Sequence, residues 1–469
     1  MDRREFLKHA ALAGLVAPGH ALAAARPAGP VVNDVSTLNP VAVAAEARPR
    51  TTEEVRAVLR NRPGAVSIGG GRFSMGGQIA APDSLHLDMR AMNQVVAFDP
   101  EERMVRVQAG MTWRDLQDVI DPHDLSIQIM QSYANFTVAG SVSVNCHGRY
   151  VGRGPLVNSV RAVQMVTAGG DVLELTRSDE SELFGAIFGG YGGLGVVTEI
   201  ELELDANGRL ERVVEEVSLE EYPDYFRTRI AANDRVLLHN ANLLPPDSRK
   251  LRAISWIVTD KPLTVTDRLI PRNLDYSRFQ NVIWAVTELP GGHRLREGME
   301  QKLLEAEAVV WRNHEASLDT ASLEPRTRAF STYLLQEYFI PVEDCVSYVR
   351  AMTRILNRQD VEAVNISVRH SPADARSLLT WAPVEVFSLV LYYKQRTTRR
   401  ASRKVGIWTR ELIDAALARG GRYYLPYRLH ATQRQFERAY PEHPRFARLK
   451  ARIDPGGRFQ NLLLSKYLK

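Results

Sequence analysis

The spacing of hydrophobic and polar residues divides the chain into two differently patterned parts. In the first, Val55, Val58 and Leu59 recur at helical spacing behind a Thr51–Glu54 capping box, which predicts a helix. The segments SLHLDM, QVVAFD and MVRVQAG alternate like short strands, the last two joined as a hairpin across DPEER, and Thr112 caps a helix over TWRDLQDVI. Because helices, strands and a hairpin follow one another without regular β–α alternation, the pattern indicates an α+β fold.

From about Asp205 onward, segments with a period of two residues alternate with longer helical ones. Five segments read as strands of one antiparallel sheet: LLHNANLL, LRAISWIV, TYLLQEYFIP, AVNISVRH and VFSLVLYYK. EGMEQKLLEAEAVVWRNHEA, VEDCVSYVRAMTRIL and GIWTRELIDAALAR have helical periodicity. A sheet covered on one side only is the form expected of a substrate-binding cap domain. In QEYFIP, Gln336 and Tyr338 share one face, which either lines the ligand site or packs on helices.

A glycine-rich loop interrupts the first part at AVSIGGGRFSMGGQ, residues 65–78. Five glycines lie within the nine residues from Gly69 to Gly77, directly after a short apolar strand. Glycine costs conformational entropy, so the loop requires a reason. One reason is a tight backbone crossing in the core; the other is a nest of backbone N–H groups that closes on a diphosphate.

Two further segments are rich in small residues. In FTVAGSVSVNCHGR, residues 136–149, the small side chains either let the backbone approach a flat ligand or form a tightly packed helix start, with Asn145 and His147 as polar groups at the end. GGYGGLGVVTEIELEL, residues 189–204, matches the dinucleotide pattern G-x-G-x-x-G. A Rossmann loop follows a strand and opens a helix, whereas here the predicted helix precedes the glycines and the strand follows them. The sequence therefore predicts no Rossmann site.

Composition narrows the classes of function. A chain of 469 residues with 45% hydrophobic content is long enough for two domains, and a net charge of +5 does not favour a dedicated nucleic-acid binder. No apolar run reaches the length of a membrane span. The two cysteines, Cys146 and Cys345, form neither a disulfide framework nor a metal-ligand spacing, so we expect buried thiols and no metal site.

The amino terminus has the layout of an export peptide. MDRREFLKHAALAGLVAPGHALAAARP combines paired Arg3 and Arg4, an apolar segment and small residues at Ala21, Ala23 and Ala25. RREFLK resembles the twin-arginine signal. We therefore expect residues 1–25 to be a signal peptide and the mature protein to be periplasmic or secreted.

Taken together, the three glycine-rich segments, HGR and the closing GGLGVVTEIEL resemble the FAD-binding domain of the vanillyl-alcohol oxidase and p-cresol methylhydroxylase family, from about Pro40 to Leu204. The motifs look most like those of cytokinin dehydrogenases, sugar and alditol oxidases and decaprenylphosphoryl-ribose oxidase. The resemblance implies a two-subdomain FAD-binding domain over residues 38–205, a substrate domain over 206–420, and a C-terminal return to the FAD domain over 421–469.

The resemblance also assigns residues to the cofactor. Gly70, Gly71, Arg72, Phe73 and Ser74 are expected at the FAD diphosphate, and Val138, Gly140, Ser143, His147 and Val197 along the flavin; Gln78 and Tyr424 complete the expected cofactor-binding set. Relatives that attach FAD covalently use a His where this chain has Phe73, and some use a Cys where it has Asn135. We therefore expect non-covalent FAD. Ser132 occupies the position of the catalytic Asp of cytokinin dehydrogenases, which argues against amine oxidation.

The expected activity is oxidation of a CH–OH group of a sugar, polyol or related alcohol, by hydride transfer to flavin N5. Tyr424, Tyr427, Arg428 and His430 cluster near the C-terminus as groups that either line a pocket or fill a domain interface. The candidate catalytic residues are Tyr427, Gln336, Tyr338, His147 and His430. Cytokinin-dehydrogenase-like CH–NH oxidation and a non-catalytic FAD-fold binding protein are the alternatives. The sequence leaves open whether oxygen, a quinone or a cytochrome accepts the electrons.

Overall fold

A computed structural model describes residues 29–179, 181–244, 247–288, 306–325, 327–361 and 363–468, so the predicted signal peptide lies outside the described residues. Strands within this part, numbered β1 to β19 in chain order, span Val31–Val32, Val41–Ala42, Ala45–Ala47, Val66–Gly69, Leu85–Asp88, Val95–Asp99, Met104–Gln108, Leu125–Ile127, Val160–Val166, Val172–Thr176, Val196–Ala206, Arg209–Ser218, Val236–Leu243, Lys250–Val258, Val309–Trp311, Ser331–Pro341, Ala363–Ser371, Val386–Arg396 and Arg422–Tyr423. The α-helices, α1 to α12, span Thr52–Asn61, Trp113–Ile120, Val138–Val144, Glu182–Ile187, Tyr222–Tyr225, Ser277–Glu288, Arg312–Ala316, Cys345–Arg358, Arg399–Leu417, Gln433–Ala439, His443–Ile453 and Leu462–Tyr467.

A small parallel sheet, β3-β5-β4, carries the glycine-rich loop at the end of β4. Helix α1 starts where predicted, since the Thr51 side chain accepts a hydrogen bond from the Glu54 N–H. The capping box is incomplete, because the Glu54 carboxylate accepts from the Arg50 N–H instead of the Thr51 N–H. The C-terminal segment extends this sheet, with Val66 bridged in parallel to Phe459.

An antiparallel sheet of order β10-β9-β11-β7-β6, with β8 paired to β11, forms the second layer of the first half. The predicted hairpin is confirmed as β6 and β7, and the Thr112 side chain caps α2 by accepting from the Asp115 N–H. Buried side chains of this sheet and of α2 and α3 pack into one core. This layer and the parallel sheet below it position the small-residue segments at their common edge.

The second half is built on an eight-stranded sheet of order β15-β12-β14-β13-β17-β18-β16-β19. All five predicted strands are present, as β13, β14, β16, β17 and β18, and every pairing among them is antiparallel. Helices α8 and α9 pack on one side of the sheet against β16. The structure thus combines mixed helix and sheet in its first half with an antiparallel-sheet second half, as the α+β prediction requires.

One predicted helix is wrong over part of its length. EGMEQKLLEAEAVVWRNHEA begins in residues outside the described part, and within the described part its centre is strand β15. Two β-branched valines, Val309 and Val310, lie there in register with β12, where pairing satisfies their backbone groups. Only the final segment, Arg312–Ala316, is helical.

Among the described helices, none has the length and apolar composition needed to cross a lipid bilayer.

Candidate active site

A large cavity lies between the two halves of the structure. The space between its walls, including the part that opens to solvent, is about 1930 Å³. The walls come from the glycine-rich loop, the segment around α3, the third glycine cluster, the cap strands β16 to β18 and the C-terminal segment. The cavity is therefore lined by both halves of the described chain.

The glycine-rich loop forms one wall, and its glycines are required by close protein contacts. A Cβ on Gly70 would lie 2.3 Å from Thr137 Oγ1, and one on Gly76 would lie 2.4 Å from the Tyr427 carbonyl oxygen. Arg72 adopts a positive φ of 63°, the left-handed region that side chains rarely occupy. The tight-crossing interpretation thus holds for this loop, and the same crossing leaves Gly70, Gly71, Arg72, Phe73 and Ser74 facing the cavity.

The opposite wall is the start of α3, where the cavity meets Ala139, Gly140 and Ser143. Thr137 caps this helix and its Oγ1 accepts from the N–H groups of both Gly140 and Gly71, at 3.3 Å each. This hydroxyl therefore ties the two small-residue segments together. Val138 does not line the cavity as predicted, because its side chain points into the core and is fully buried.

The third glycine cluster supplies the floor, with Gly190, Gly192, Gly193 and Gly195 along the cavity. Helix α4 precedes it and strand β11 follows it, as predicted, so the order of elements is the reverse of a Rossmann loop. A Cβ on Gly195 would lie 2.6 Å from the Met165 sulfur, which explains that glycine by packing. Val197, at the start of β11, lines the cavity as predicted.

The face of strand β16 that meets the cavity is the opposite of the face predicted from the sequence. Gln336 Nε2 donates to Thr409 Oγ1 of α9 at 2.7 Å, and the Tyr338 hydroxyl donates to Gln336 Oε1 at 2.5 Å. Both side chains are buried on the helix side of the sheet, so the prediction that they line the site is wrong. Because alternate residues of a strand point to opposite faces, Tyr333, Leu335 and Glu337 line the cavity instead.

Glu337 is the centre of a polar cluster in the cavity wall. Its carboxylate oxygen Oε1 lies 2.6 Å from His147 Nε2, and Oε2 accepts from the Tyr427 hydroxyl at 3.3 Å. Burial acts to raise the pKa of the Glu337 carboxyl, but the neighbouring His147 and Arg369 outweigh it and hold the pKa below its ordinary range. Glu337 is therefore a buried carboxylate that accepts from two cavity residues.

Tyr427 lines the cavity but does not have the character of a base. Burial, together with the charge of Glu337, raises its pKa well above the ordinary value for a phenol. The positive charge of Arg369 acts to lower this pKa but does not prevail. The phenol consequently serves as a hydrogen-bond donor to Glu337.

Two of the predicted residues connect the cavity walls. Tyr424 lines the cavity, and its hydroxyl donates to the backbone carbonyls of Val144 at 2.9 Å and Asn145 at 3.3 Å. Gln78 Nε2 donates to the carbonyls of Leu425 and Tyr427 at 2.6 and 2.8 Å. These hydrogen bonds join the C-terminal segment to the glycine-rich loop and to the end of α3.

His430 does not belong to the cavity. It packs beside Gly406 of α9, and its backbone carbonyl accepts from Arg410 at 3.3 Å. Burial and the nearby cations Arg428, Lys466 and Arg410 lower its pKa to about 3. The prediction of a catalytic role for His430 is therefore wrong, because an imidazole without access to the cavity cannot reach a substrate.

The sequence prediction missed two cavity residues, Glu337 and Arg369 of β17. The sequence signal that could have revealed them is a charged residue inside an otherwise apolar strand. Glu337 is such a residue in QEYFIP, and Arg369 is one in NISVRH. Several buried polar atoms in the cavity wall have no partner in the protein, namely Arg72 Nε, Ser132 Oγ, His147 Nδ1 and Arg369 Nε. Unpaired buried polar atoms beside two backbone crossings fit a site that is completed by a polar ligand such as FAD.

Two family models match the chain. A family model of the FAD binding domain matches residues 43–176, and one of D-arabinono-1,4-lactone oxidase matches residues 254–469. L-gulonolactone oxidase of Bos taurus is 24% identical over 431 residues, 89% of this chain and 94% of that protein. Alditol oxidase of a Streptomyces species is 34% identical over 160 residues, 34% of this chain and 38% of that protein.

A third relative, decaprenylphosphoryl-β-D-ribose oxidase of Mycolicibacterium smegmatis, is 32% identical over 156 residues, 32% of this chain and 34% of that protein. The two family models meet at the cavity, since the first contains the glycine-rich loop and α3 and the second contains β16 to β18 and the C-terminal segment. The resemblance drawn from the sequence motifs is confirmed. The chain is an FAD-dependent oxidoreductase whose first part matches the FAD binding domain and whose second part matches the D-arabinono-1,4-lactone oxidase model.

Proposed function

We propose that the protein oxidises a CH–OH group of a sugar, polyol or sugar-derived lactone, with His147 as the base that receives the hydroxyl proton. The observation that carries the proposal is the 2.6 Å contact between His147 Nε2 and Glu337 Oε1 in the cavity wall. The relatives named above, which are lactone and alditol oxidases, support this class of substrate. They give no support to the CH–NH alternative or to a non-catalytic binding protein.

The tautomer of His147 follows from the charge of its partner. Glu337 is ionised, because its pKa lies below the ordinary range, and a carboxylate only accepts hydrogen bonds. His147 Nε2 therefore carries a proton and donates it to Glu337, which leaves the lone pair on Nδ1. Nδ1 is buried and has no partner in the protein, and we propose it as the atom that accepts the proton of a substrate hydroxyl.

Bound FAD supplies the two-electron acceptor for the hydride that leaves the carbinol carbon. The substrate thus loses a hydride from carbon and a proton from oxygen, and a C=O double bond forms. Glu337 stabilises the imidazolium that His147 becomes, and Tyr427 holds the second carboxylate oxygen in place. The surrounding aromatic rings, including Trp381 with its ring centroid 4.8 Å from that of His147, exclude water from this cluster.

We assign the cofactor to the two small-residue walls. Gly70, Gly71, Arg72, Phe73 and Ser74 would hold the diphosphate, and Gly140, Ser143, Val197 and Tyr424 would border the flavin. The support is that all of these residues line one cavity and that the crossing of Gly70 with Thr137 leaves no space for side chains between the walls.

We propose that FAD is held without a covalent bond. Phe73 packs against Phe136 with ring centroids 4.4 Å apart, and the Asn135 side chain bonds Asp319 and Thr320. Neither side chain is a nucleophile. Burial raises the pKa of the Cys146 thiol to about 12, which suppresses the thiolate. Acid precipitation of the yellow protein should release the flavin to the supernatant, and colour retained in the pellet would overturn the proposal.

The activity is tested by anaerobic mixing of the holoenzyme with alditols, aldonolactones and secondary amines while flavin absorbance is followed. We expect bleaching by members of the first two classes. His147→Gln should slow flavin reduction by about 10²- to 10⁴-fold, the usual contribution of a general base, with FAD content unchanged. Glu337→Gln should slow it less, because the base remains but loses its orienting charge.

Glu385→Gln is the matched control, since Glu385 is exposed and its partner is His370 outside the cavity. The flavin of this variant should be reduced by substrate at the same rate as the flavin of the parent protein. Reduction by amines alone would favour the CH–NH alternative, and a flavin that none of the three classes bleaches would favour a binding protein. A parent-like rate in His147→Gln would remove that residue from the mechanism.

We further propose that the FAD-binding part, residues 38–205, has two subdomains of the p-cresol methylhydroxylase type, with residues 206–420 as the cap and 421–469 returning to the FAD domain. The separate sheets β3-β5-β4 and β10-β9-β11-β7-β6 support two subdomains. The Val66–Phe459 bridge supports the return of the C-terminal segment.

The location of the protein is a proposal from its sequence alone. We propose export by the twin-arginine route, supported by RREFLK and the small residues before Arg26. Fractionation of cells that produce the full chain should find the shortened protein in the periplasm or medium. Replacement of Arg3 and Arg4 by lysine should retain it in the cytoplasm, and export of this variant at the parent level would contradict the proposal.

A further inference from the structure

Arg369 of β17 lines the cavity, and its positive charge has no direct partner in the protein. Its guanidinium makes no hydrogen bond and no ion pair with any residue that the structure describes, and its Nε is a buried, unpaired donor. A guanidinium carries five N–H donors in a fixed plane and accepts nothing. Leaving such a group without acceptors in a partly closed cavity costs free energy, so the arrangement indicates a missing ligand.

The neighbouring side chains do not pair with Arg369 in the structure. Glu337 of β16 attracts it electrostatically, but both carboxylate oxygens of Glu337 already accept, from His147 and Tyr427. Arg149, the other cation close enough to influence it, is paired with Glu315 at 2.7 Å. The guanidinium of Arg369 is therefore available to an acceptor on a molecule that the cavity binds.

We propose that Arg369 binds the carboxylate of a 2-hydroxy acid, so that the preferred substrate is an open-chain sugar acid and not a neutral alditol or lactone. A carboxylate offers two oxygens in the plane that matches the guanidinium fork, whereas a lactone carbonyl or a hydroxyl offers one acceptor. Because Arg369 and His147 flank the same carboxylate, Glu337, the carboxylate of the substrate lies next to the carbinol whose proton His147 accepts. The inference rests on the proposed function of the cavity.

The binding step is tested with a ligand that cannot react. 2-Hydroxy-2-methylpropanoate has a carboxylate beside a carbinol but no hydrogen on the carbinol carbon, and its amide is the neutral counterpart. Each is titrated into the oxidised holoenzyme while the flavin absorption spectrum is followed. The parent protein should bind the carboxylate at least tenfold more tightly than the amide.

Variants test whether Arg369 causes the preference for the carboxylate over the amide. Arg369→Met should weaken carboxylate binding roughly 10- to 100-fold, the usual value of hydrogen bonds to a charged group, and leave the amide unaffected. Arg369→Lys should restore part of the loss, because it keeps the charge without the planar fork. Arg149→Lys is the matched control, since it keeps an ion pair with Glu315 outside the cavity, and it should bind like the parent.

Three results would overturn the proposal. The first is equal affinity of the parent protein for the carboxylate and the amide, and the second is unchanged carboxylate binding in Arg369→Met. The third is a change in the flavin reduction potential of Arg369→Met without a change in its binding of the carboxylate. The last would mean that Arg369 faces the flavin instead of the substrate. Failure of the proposed function is a separate result. In that case the carboxylate binds through Arg369, but no sugar acid, alditol or lactone reduces the flavin.

Discussion

At the scale of single residues, the environment of Tyr427 decides what its phenol contributes. The hydroxyl donates to Glu337, and the surrounding charge and burial keep it protonated at working pH. Its loss removes one of two hydrogen bonds that orient the carboxylate but leaves the His147 contact in place. The residue is therefore a positioning residue for the Glu337–His147 pair.

We expect Tyr427→Phe to slow flavin reduction several-fold, far less than His147→Gln, without loss of FAD. Stopped-flow reduction across a pH series provides the measurement, because removal of a donor should lower the rate without removing an ionisation from the profile. Tyr424→Phe is not a neutral comparison, since that hydroxyl joins two walls, and Glu385→Gln again serves as control. A rate equal to that of the parent would take Tyr427 out of the mechanism, and a loss as large as that of His147→Gln would restore it as the base.

At the scale of elements, an N-terminal strap, residues 33–39, holds the glycine-rich loop in shape. The Asp34 carboxylate accepts from the Gly77 N–H at 3.0 Å and from Asn39 Nδ2 at 2.6 Å, and the Val35 N–H donates to the Arg72 carbonyl at 2.9 Å. These bonds fix both ends of the loop that faces the cavity.

Asp34→Ala should therefore raise the dissociation constant of FAD by about tenfold, because the loop loses charge-assisted hydrogen bonds that it would have to replace on binding. Ultrafiltration of the holoenzyme at a series of concentrations measures the constant. Glu101→Ala, in the exposed turn of the β6–β7 hairpin, is the control and should bind FAD like the parent. Equal constants in both variants would show that the strap has no effect on the loop.

For strand β16, the sequence predicts the secondary structure but not which face of the strand meets the ligand. Its alternating pattern predicted a strand correctly, but both faces are covered, one by α8 and α9 and the other by the cavity wall. With apolar and polar residues on both faces, the sequence cannot say which face meets the ligand, and a shift of one residue exchanges Gln336 for Glu337. The sequence also could not predict the His147–Glu337 contact, because the two residues are 190 positions apart.

At the scale of the whole molecule, two buried histidines, His86 and His239, and the half-buried His430 lie in three different regions. Burial lowers the pKa of His86 on β5 to about 4 and those of His239 on β13 and His430 in the C-terminal segment to about 3. An unfolded chain protonates them near pH 6.5, whereas the folded protein does not until pH 3–4. Stability should therefore fall as the pH drops through this window and level off below it.

Once the pH is below the folded-state pKa, the loss amounts to about 3 to 5 kcal/mol for each histidine as an order of magnitude. Urea unfolding at pH 7, 5.5 and 4 measures it, and His239→Gln should flatten the dependence of the unfolding free energy on pH. His123→Gln, at an exposed position, is the control and should keep the parent slope. A parent-like slope in His239→Gln would contradict the assignment of this acid sensitivity to the buried imidazoles.

The return of the C-terminal segment has a consequence for the order in which the protein is made. The Val66 N–H donates to the Arg458 carbonyl and the Gln460 N–H to the Val66 carbonyl, so the strand that leads into the glycine-rich loop gains its last neighbour from residues translated almost 400 positions later. Tyr424 and Tyr427, also late in the chain, complete the cavity wall. A nascent chain in which this C-terminal segment has not yet been made therefore carries an unfinished cavity wall.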